Sequence, residues 1–303
     1  MTDYIVYTKQ LSKKYGGKLA IDDFTINIAA DKITGLIGRN GSGKTTLMKL
    51  IAGQLDATGG ELKVLSEAPM DNLRVLKHVV YTYHDYRYSK GLDLKTILSN
   101  YDSLFETFDM EFASKLLKYF DLKPGMKYYQ LSQGMASVFN FISGLSCRTK
   151  LTMFDEPVLG MDVSVRKSIY EVLLRDYTEH PRSIIISSHL ISELEGVLSD
   201  IILIDNGKPV LYDTIDNIRE YAYRFDGARN RLEAFNQGKD IIYSKSGDVG
   251  SYSVLRGPLS ESLINESKQY HLELSQVRVE DLFVYLTKQN KEVELECLWE
   301  TTK

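Results

Sequence analysis

Nine consecutive residues, Gly38-Arg39-Asn40-Gly41-Ser42-Gly43-Lys44-Thr45-Thr46, have the spacing of a phosphate-binding loop: Gly, four free positions, then Gly-Lys-Thr. The glycines let backbone N–H groups turn inward around a phosphate. Lys44 supplies a compact positive charge for the outer phosphates. The Thr45 hydroxyl is placed for Mg²⁺, and Thr46 for an inner phosphate. A second chemical stretch is Asp155-Glu156, which closes the apolar run Lys150 to Glu156. Side chains alternate along a strand, so the two acids can do different jobs. Asp155 suits Mg²⁺, a cation that takes oxygen ligands and keeps several waters. Glu156 suits polarising a water. On its own the pair equally fits a strand running into a solvated turn. His189 follows the β-branched run Ser183 to Ser187. That is the carboxyl end of a strand, where ligands sit in open α/β sheets. A lone histidine there also fits a packing or surface role.

The surrounding pattern predicts the elements that position these groups. Lys32 to Ile37 reads as a strand, and Lys44 to Leu55 as a helix with Leu47, Leu50, Ile51 and Leu55 on one face. Such a helix turns the positive end of its dipole toward the loop. Asp3 to Lys9 reads as a strand, Lys14 to Lys18 as a turn, and Leu19 to Ile28 as extended again. Tyr15, just before Gly16-Gly17, is either a cross-strand packing residue or a flat surface for an adenine ring. Gly59 to Leu65 and Leu76 to Tyr83 read as strands. The second runs into a polar and aromatic cluster: Tyr81, Tyr83, His84, Asp85, Tyr86 and Tyr88. Leu94 to Phe105 and Met110 to Phe120 read as helices capped by Asp93 and Asp109. Pro124-Gly125 ends that block. Ile201 to Asp205, Asn206-Gly207 and Pro209 to Tyr212 form a hairpin with a favoured turn. After Asp213 the pattern alternates strand and helix without a chemical motif, which predicts a small α+β domain with an antiparallel sheet.

Composition sets the outer bounds. The 303 residues are 43% hydrophobic and 26% charged, with a formal net charge of −4. That allows a real core and lacks the basic excess of a nucleic-acid binder, so no nucleic-acid partner is expected. Cys147 and Cys297 are far apart, which suggests neither a disulfide framework nor a metal site. No stretch has the length of a transmembrane helix, and no basic-then-apolar signal opens the chain. The expectation is a cytoplasmic chain, peripheral at the inner face of the cell membrane only through a partner.

The order of the pieces resembles the ATPase of ATP-binding cassette (ABC) transporters. Leu131-Ser132-Gln133-Gly134-Met135 resembles the Leu-Ser-Gly-Gly-Gln signature of that family. The other cassette elements fall in register. Tyr15 stands at the adenine-stacking aromatic, Gly38 to Thr46 at the phosphate loop, and His84 at the glutamine of the Q-loop. Leu151 to Glu156 stands at the acidic strand, Pro157 to Asp162 at the D-loop, and His189 at the switch histidine. The resemblance covers roughly residues 3 to 215 and is specific as a set. It implies an α/β P-loop cassette: a mixed sheet core with an antiparallel β subdomain and a helical subdomain near 88–145. Residues 1–215 would be the nucleotide-binding domain and 216–303 the small accessory α+β domain. It also implies ATP and Mg²⁺ as ligands, with Lys44, Glu156 and His189 catalytic, Thr45 and Asp155 on the metal, and residues 38–46, Tyr15 and His84 on the nucleotide. Two cassettes, identical or not, would face each other, with Leu131 to Met135 completing the partner's site and Asp162 linking the two. A separate membrane permease would take up the stroke, in the manner of bacterial exporters of peptides, lipids, antibiotics or toxins. A regulatory cassette that moves no substrate is the other reading.

Two positions depart from the family pattern. His84 replaces the Q-loop glutamine, and imidazole nitrogen suits Mg²⁺ less than a carbonyl oxygen. It is therefore expected to act through water or stay off the metal, and it could add a pH dependence. Gln133 replaces the first signature glycine. If that backbone needs a positive φ, a side chain would cost roughly 1 kcal/mol. The tyrosines between Tyr81 and Tyr88 fit either an exposed docking groove or the core of the helical insertion.

Overall fold

The computed structural model describes residues 4–84, 86, 88–189, 191–247 and 250–287. Asp85 lies outside them. Two compact units divide at residue 212: Met1–Tyr212 and Asp213–Lys303.

The first unit opens with β1 (Tyr4–Tyr15), β2 (Lys18–Phe24), β3 (Asn27–Ala29) and β4 (Ile33–Ile37). The turn falls at Gly16-Gly17 alone, so β1 runs longer than its alternation predicts; Gly16 takes the positive φ, 55°, that the tight reversal needs. Then follow α1 (Lys44–Ile51), β5 (Gly59–Val64), α2 (Leu73–Leu76) and β6 (Val79–Tyr83). The first helix is shorter than the expected run to Leu55. Gly53 at φ 64° turns the chain out of it. Likewise Leu76 ends a short helix instead of opening a strand. The helical block holds α3 (Leu94–Leu104), α4 (Met110–Tyr119) and α5 (Gln133–Ser146). Asp93 and Asp109 cap α3 and α4 by accepting from the N–H groups of Thr96 and Phe112 at 2.9 and 2.8 Å. The unit closes with β7 (Leu151–Asp155), α6 (Val163–Glu179), β8 (Ser183–Ser188), α7 (Ile191–Leu194), β9 (Asp200–Asp205) and β10 (Lys208–Thr214), whose last residues cross the unit boundary. No element is predicted between Asp162 and Ser183, yet α6 stands there. Its buried stripe is only Ile169, Tyr170, Leu173 and Asp176, too narrow and too polar to read as an amphipathic helix.

The central sheet has the order β10-β9-β4-β8-β7-β6. From β9 through β4, β8 and β7 to β6 the pairing is parallel. The strands β4, β7 and β8 are buried along their whole length, as expected of parallel strands covered on both faces. One face packs against α1 and the antiparallel strands β1, β3 and β5 in a single core that includes Leu47, Leu50, Val6, Val64 and Ile185. The other receives α5, where Phe141 meets Phe154 at 5.1 Å and Gly144 gives room to Phe154 and Thr82. Register matters most for function. Tyr83 pairs Asp155, Asp155 pairs Ser187 and Ile37 pairs Ser188, so β6, β7, β8 and β4 end flush at one edge.

The tyrosines past β6 pack inward. The rings of Tyr81, Tyr83, Tyr86 and Tyr88 follow one another at 5.3, 5.1 and 4.7 Å. Tyr88 then meets Tyr128 at 4.7 Å and Phe139 of α5 at 6.0 Å. They tie the sheet edge to the helical block.

The second unit has α8 (Ile215–Arg219), β11 (Ala222–Gly227), α9 (Arg229–Phe235), β12 (Ile241–Lys245), β13 (Ser251–Arg256), α10 (Glu261–Gln269), β14 (Glu273–Gln276) and α11 (Val279–Thr287). Its sheet, ordered β12-β13-β11-β14, is antiparallel throughout. Phe225, Leu232, Phe235, Leu255 and Leu272 form its core. Ser260 caps α10 through the N–H of Leu263. The sequence pattern predicts a last helix over Val279 to Lys288, which reaches one residue outside the described ones.

One polar knot holds the first unit behind the sheet. Asp176 of α6 is 4% exposed. Its two carboxylate oxygens accept from Arg148 at 3.0 Å and Arg182 at 2.7 Å, and Arg148 also reaches Asp109 at 2.8 Å. Removing the carboxylate leaves two guanidinium groups without their shared anion. Asp176→Ala should therefore lower stability by about 3 kcal/mol in urea unfolding. A loss below about 1 kcal/mol would show that the arginines find adequate partners without it.

Candidate functional site

The phosphate-loop residues leave β4 and are gripped from outside. Gly207, in the β9–β10 turn, donates its N–H to the Ser42 carbonyl at 2.8 Å and accepts from Asp22 of β2 at 3.0 Å. Gly43, at φ 109°, opens α1, and a Cβ there would lie 2.6 Å from the Ala20 carbonyl. Only glycine fits between the loop and β2 in that conformation. Lys44 is 6% exposed. Its Nζ donates to the carbonyls of Gly38 at 2.7 Å and Arg39 at 3.4 Å, and stands 3.6 Å from Glu156 Oε1.

Asp155 ends β7, 3% exposed. Its Oδ2 accepts from the hydroxyls of Thr45 at 2.7 Å and Tyr81 at 3.0 Å. Its Oδ1 accepts from the Ser187 hydroxyl. Burial, and then the Asp155 charge, pushes the Tyr81 phenol far above its ordinary range, so it stays a donor.

Glu156 leaves the strand at φ 51°, a left-handed conformation that costs a non-glycine residue of order 1 kcal/mol or more. Two bonds hold it there: its N–H lies 3.0 Å from the Ser187 hydroxyl and 3.3 Å from the Ser187 carbonyl. The turn swings the carboxylate away from Asp155. Oε2 then meets His189 Nδ1 at 2.9 Å while Oε1 faces Lys44. His189 itself is exposed.

These groups open on a cavity of about 580 Å³ lined by Tyr15, Arg39, Asn40, Gly41, Gly43, Lys44, Thr45, Thr46, His84, Glu156 and His189. Tyr15 presents its ring at 48% exposure on the rim. Lys18, Ala20 and Leu159, which no motif singles out, complete the wall. Gly38 and Ser42 lie beneath the loop. The Ser42 hydroxyl is buried with no hydrogen-bond partner among the described residues, and so is His84 Nδ1. His84 is anchored by its backbone, whose N–H points to the Asp155 carbonyl at 3.4 Å.

Leu131 to Met135 line no part of this cavity. Ser132 caps α5, its hydroxyl accepting from the Met135 N–H at 3.3 Å. Gln133 is the first helical residue and has no positive φ, so the conditional strain does not arise. Its side chain lies over Gly160, which has φ 80°, and a Cβ on Gly134 would come within 2.7 Å of the Gly160 carbonyl. Ser137 donates to the Leu159 carbonyl at 2.9 Å. The start of α5 and the segment Leu159-Gly160-Met161 are therefore packed as one piece. Asp162 caps α6 through the Val165 N–H at 2.9 Å.

A parallel strand, a glycine loop opening a Lys-Thr helix and an acid pair at the flush end of a neighbouring strand define a P-loop nucleoside triphosphatase. The family described as ABC transporter matches residues 21–159. The ATP-binding protein YtrB of Bacillus subtilis (strain 168), an ABC transporter component, is 25% identical over 222 residues, 71% of this chain and 74% of that protein. The lantibiotic transport ATP-binding protein SrtF of Streptococcus pyogenes is 28% identical over 239 residues, covering 78% and 97%. Among solved structures, a dimeric ATP-binding cassette in a post-hydrolysis state with ADP and Pi is similar in fold, with a TM-score of 0.62 at 18% identity over 69% of this chain and 98% of that one. Residues 21–159 therefore match the ABC transporter family, and the relatives they share it with include ATP-binding proteins of bacterial ABC transporters.

The partners of Asp155 escaped sequence reading. Tyr81 and Ser187 carry no motif; the one signal is a hydroxyl near the end of each strand flanking an acidic one. The cavity also fits a triphosphate on its own terms, with an enclosed lysine and a glycine turn that no side chain can occupy. Gly43→Ala should weaken binding of a fluorescent ATP analogue by about tenfold or more, because strain and the clash with Ala20 both distort the loop. Unchanged affinity with an unchanged far-UV spectrum would refute the grip described.

Proposed function

We propose that this chain is the ATP-hydrolysing subunit of an exporter whose membrane permease is a separate chain. The observation that carries the proposal is the convergence of Lys44, Glu156 and His189 on the cavity of the phosphate loop. Tyr15 takes the adenine ring, and residues 38–46 take the phosphates, with Lys44 as the charge within reach of the outer ones. Thr45 and Asp155 place two hard oxygen donors side by side, a set that fits Mg²⁺, which uses few protein ligands beside substrate phosphates. When bound, that ion supplies charge neutralisation across the phosphates.

Glu156 is the water-polarising group. A water held by its carboxylate forms a bond to the terminal phosphorus while the bridging P–O bond breaks. ADP leaves, and the proton passes to the carboxylate and on to phosphate or solvent. His189 holds Glu156 in place through Oε2, leaving Oε1 toward Lys44. His84, which lines the cavity and whose buried Nδ1 has no hydrogen-bond partner among the described residues, acts through water at the Q-loop position.

The cavity is one half of a site. Ser132 and the start of α5 do not line it and complete the site of a second cassette, identical or not, as helix N-termini bind anions. The packing of Gln133 and Gly134 on Gly160 makes the signature and the Asp162 segment move together. An exporter role draws on the relatives, which include a lantibiotic and a bacitracin transport protein. Co-purification of the chain with a membrane-spanning subunit supports that role, and isolation from the same membranes without one counts against it.

Glu156→Gln should lower the ATPase rate by on the order of 10²-fold or more while ATP binding persists. A variant hydrolysing at the parent rate would remove Glu156 from the mechanism. If an identical chain completes the site, the same variant should sediment as a dimer in ATP and as a monomer without it; a monomer under both conditions would refute that identical pairing.

A further inference from the structure

The carboxylate of Asp155 is held by more than the metal-site pairing needs. Thr45 donates to Oδ2 from α1, and Ser187 donates to Oδ1 from β8. A third hydroxyl, that of Tyr81, reaches Oδ2 at 3.0 Å from β6. Tyr81 lies two residues before the strand's end, so it points to the same side of the sheet as Tyr83, the register partner of Asp155.

We propose that Tyr81 is a positioning residue that holds the Asp155 carboxylate in the orientation in which it can share a divalent cation with Thr45. The proposal rests on the ATPase reading above.

Three observations support it. First, a carboxyl group can rotate about its last bond, and donors on one oxygen alone would not define that rotation. Ser187 fixes Oδ1, while Thr45 and Tyr81 approach Oδ2 from two different elements. Second, the Thr45 hydroxyl has one proton and can give it to Asp155 while its lone pairs face a cation. Tyr81 is free of that second duty, so its bond to Oδ2 persists whether or not the cation is present. Third, the Tyr81 ring cannot swing away. It is buried, it packs at 5.3 Å on Tyr83, Tyr83 backs onto Tyr86, and Tyr86 onto Tyr88. The Tyr88 hydroxyl in turn lies 2.9 Å from that of Tyr101 in α3.

Packing alone does not account for a tyrosine here. A phenylalanine would keep every ring contact, and the hydroxyl would then be a buried polar group placed for nothing. The bond to Oδ2 is what the hydroxyl adds.

The test compares the full-length parent chain with Tyr81→Phe, which retains the ring. Binding of a fluorescent, slowly hydrolysed ATP analogue is titrated with Mg²⁺, and Mn²⁺ binding to the nucleotide complex is followed by electron paramagnetic resonance. Partners that orient a ligating group typically contribute 10- to 100-fold to metal affinity, so the variant should need about tenfold more Mg²⁺ for half-maximal effect. Its Mn²⁺ signal should weaken in parallel. Nucleotide affinity in chelator should stay within about twofold, because Tyr81 does not line the cavity. A purely structural role would move the chelator affinity and the Mg²⁺ dependence together. An unchanged Mg²⁺ titration overturns the proposal, as does an equal loss of affinity with and without the cation. Tyr81→Met, which also lacks the hydroxyl, repeats the measurement and should show the same Mg²⁺ shift; a parent-like titration from either variant overturns the proposal. If the parent itself shows no cation-dependent nucleotide binding, the ATPase reading falls instead.

Discussion

Burying a carboxylate costs free energy unless it is hydrogen-bonded, and in this chain that requirement falls on Asp155. Its three hydroxyl donors come from α1, β6 and β8, which belong to three separate parts of the sequence. They can meet only if β6, β7 and β8 are in register and α1 leaves the sheet at the same edge. The pairing of Tyr83 with Asp155 and of Asp155 with Ser187 is that condition met. The phosphate loop inherits its position from it, because Thr45 is the second residue of α1 and Lys44 the first.

The parts of this arrangement legible in the sequence are those set by local rules. Glycine spacing in residues 38–46, the apolar strand ending at Asp155-Glu156, the caps Asp93 and Asp109 and the Asn206-Gly207 turn each follow from a few adjacent residues. The parts that were not legible depend on register between distant strands. Nothing near Tyr81 or Ser187 says that each will face Asp155, since the pairing partner of β6 was unknown. Helix α6 was missed for a different reason. It buries only a few side chains, one of them Asp176, and a charged residue in the buried stripe hides the periodicity. The tyrosines beyond β6 were ambiguous because ring contacts at about 5 Å depend on tertiary packing, and aromatic composition alone fits a surface or a core.

The start of α5 shows how a departure from a family pattern can be absorbed. Gln133 stands where a glycine is usual, but the backbone there is helical and makes no special demand. The demand for a missing side chain falls on Gly134, where a Cβ would come within 2.7 Å of the Gly160 carbonyl, and on Gly160, which takes φ 80°. Gln133 instead covers Gly160. A side chain at this point therefore adds contact between the helix and the following loop.

Glu156 brings these constraints together. A glycine would take φ 51° at no steric cost, yet the position needs a carboxylate if the site is to polarise water. The chain must then compensate for the strained backbone, and Ser187 does so twice, through its hydroxyl and its carbonyl. The same hydroxyl donates to Asp155. One serine thus sets both acids: it pins the first in the plane of the sheet edge and turns the second out of it, toward Lys44 and His189. An alanine at 187 would leave β8 intact and buried, but the two carboxylates would lose the common reference that makes them differ. The division of labour between adjacent acids, which strand alternation alone would put on opposite faces of the sheet, is achieved here by ending the strand between them.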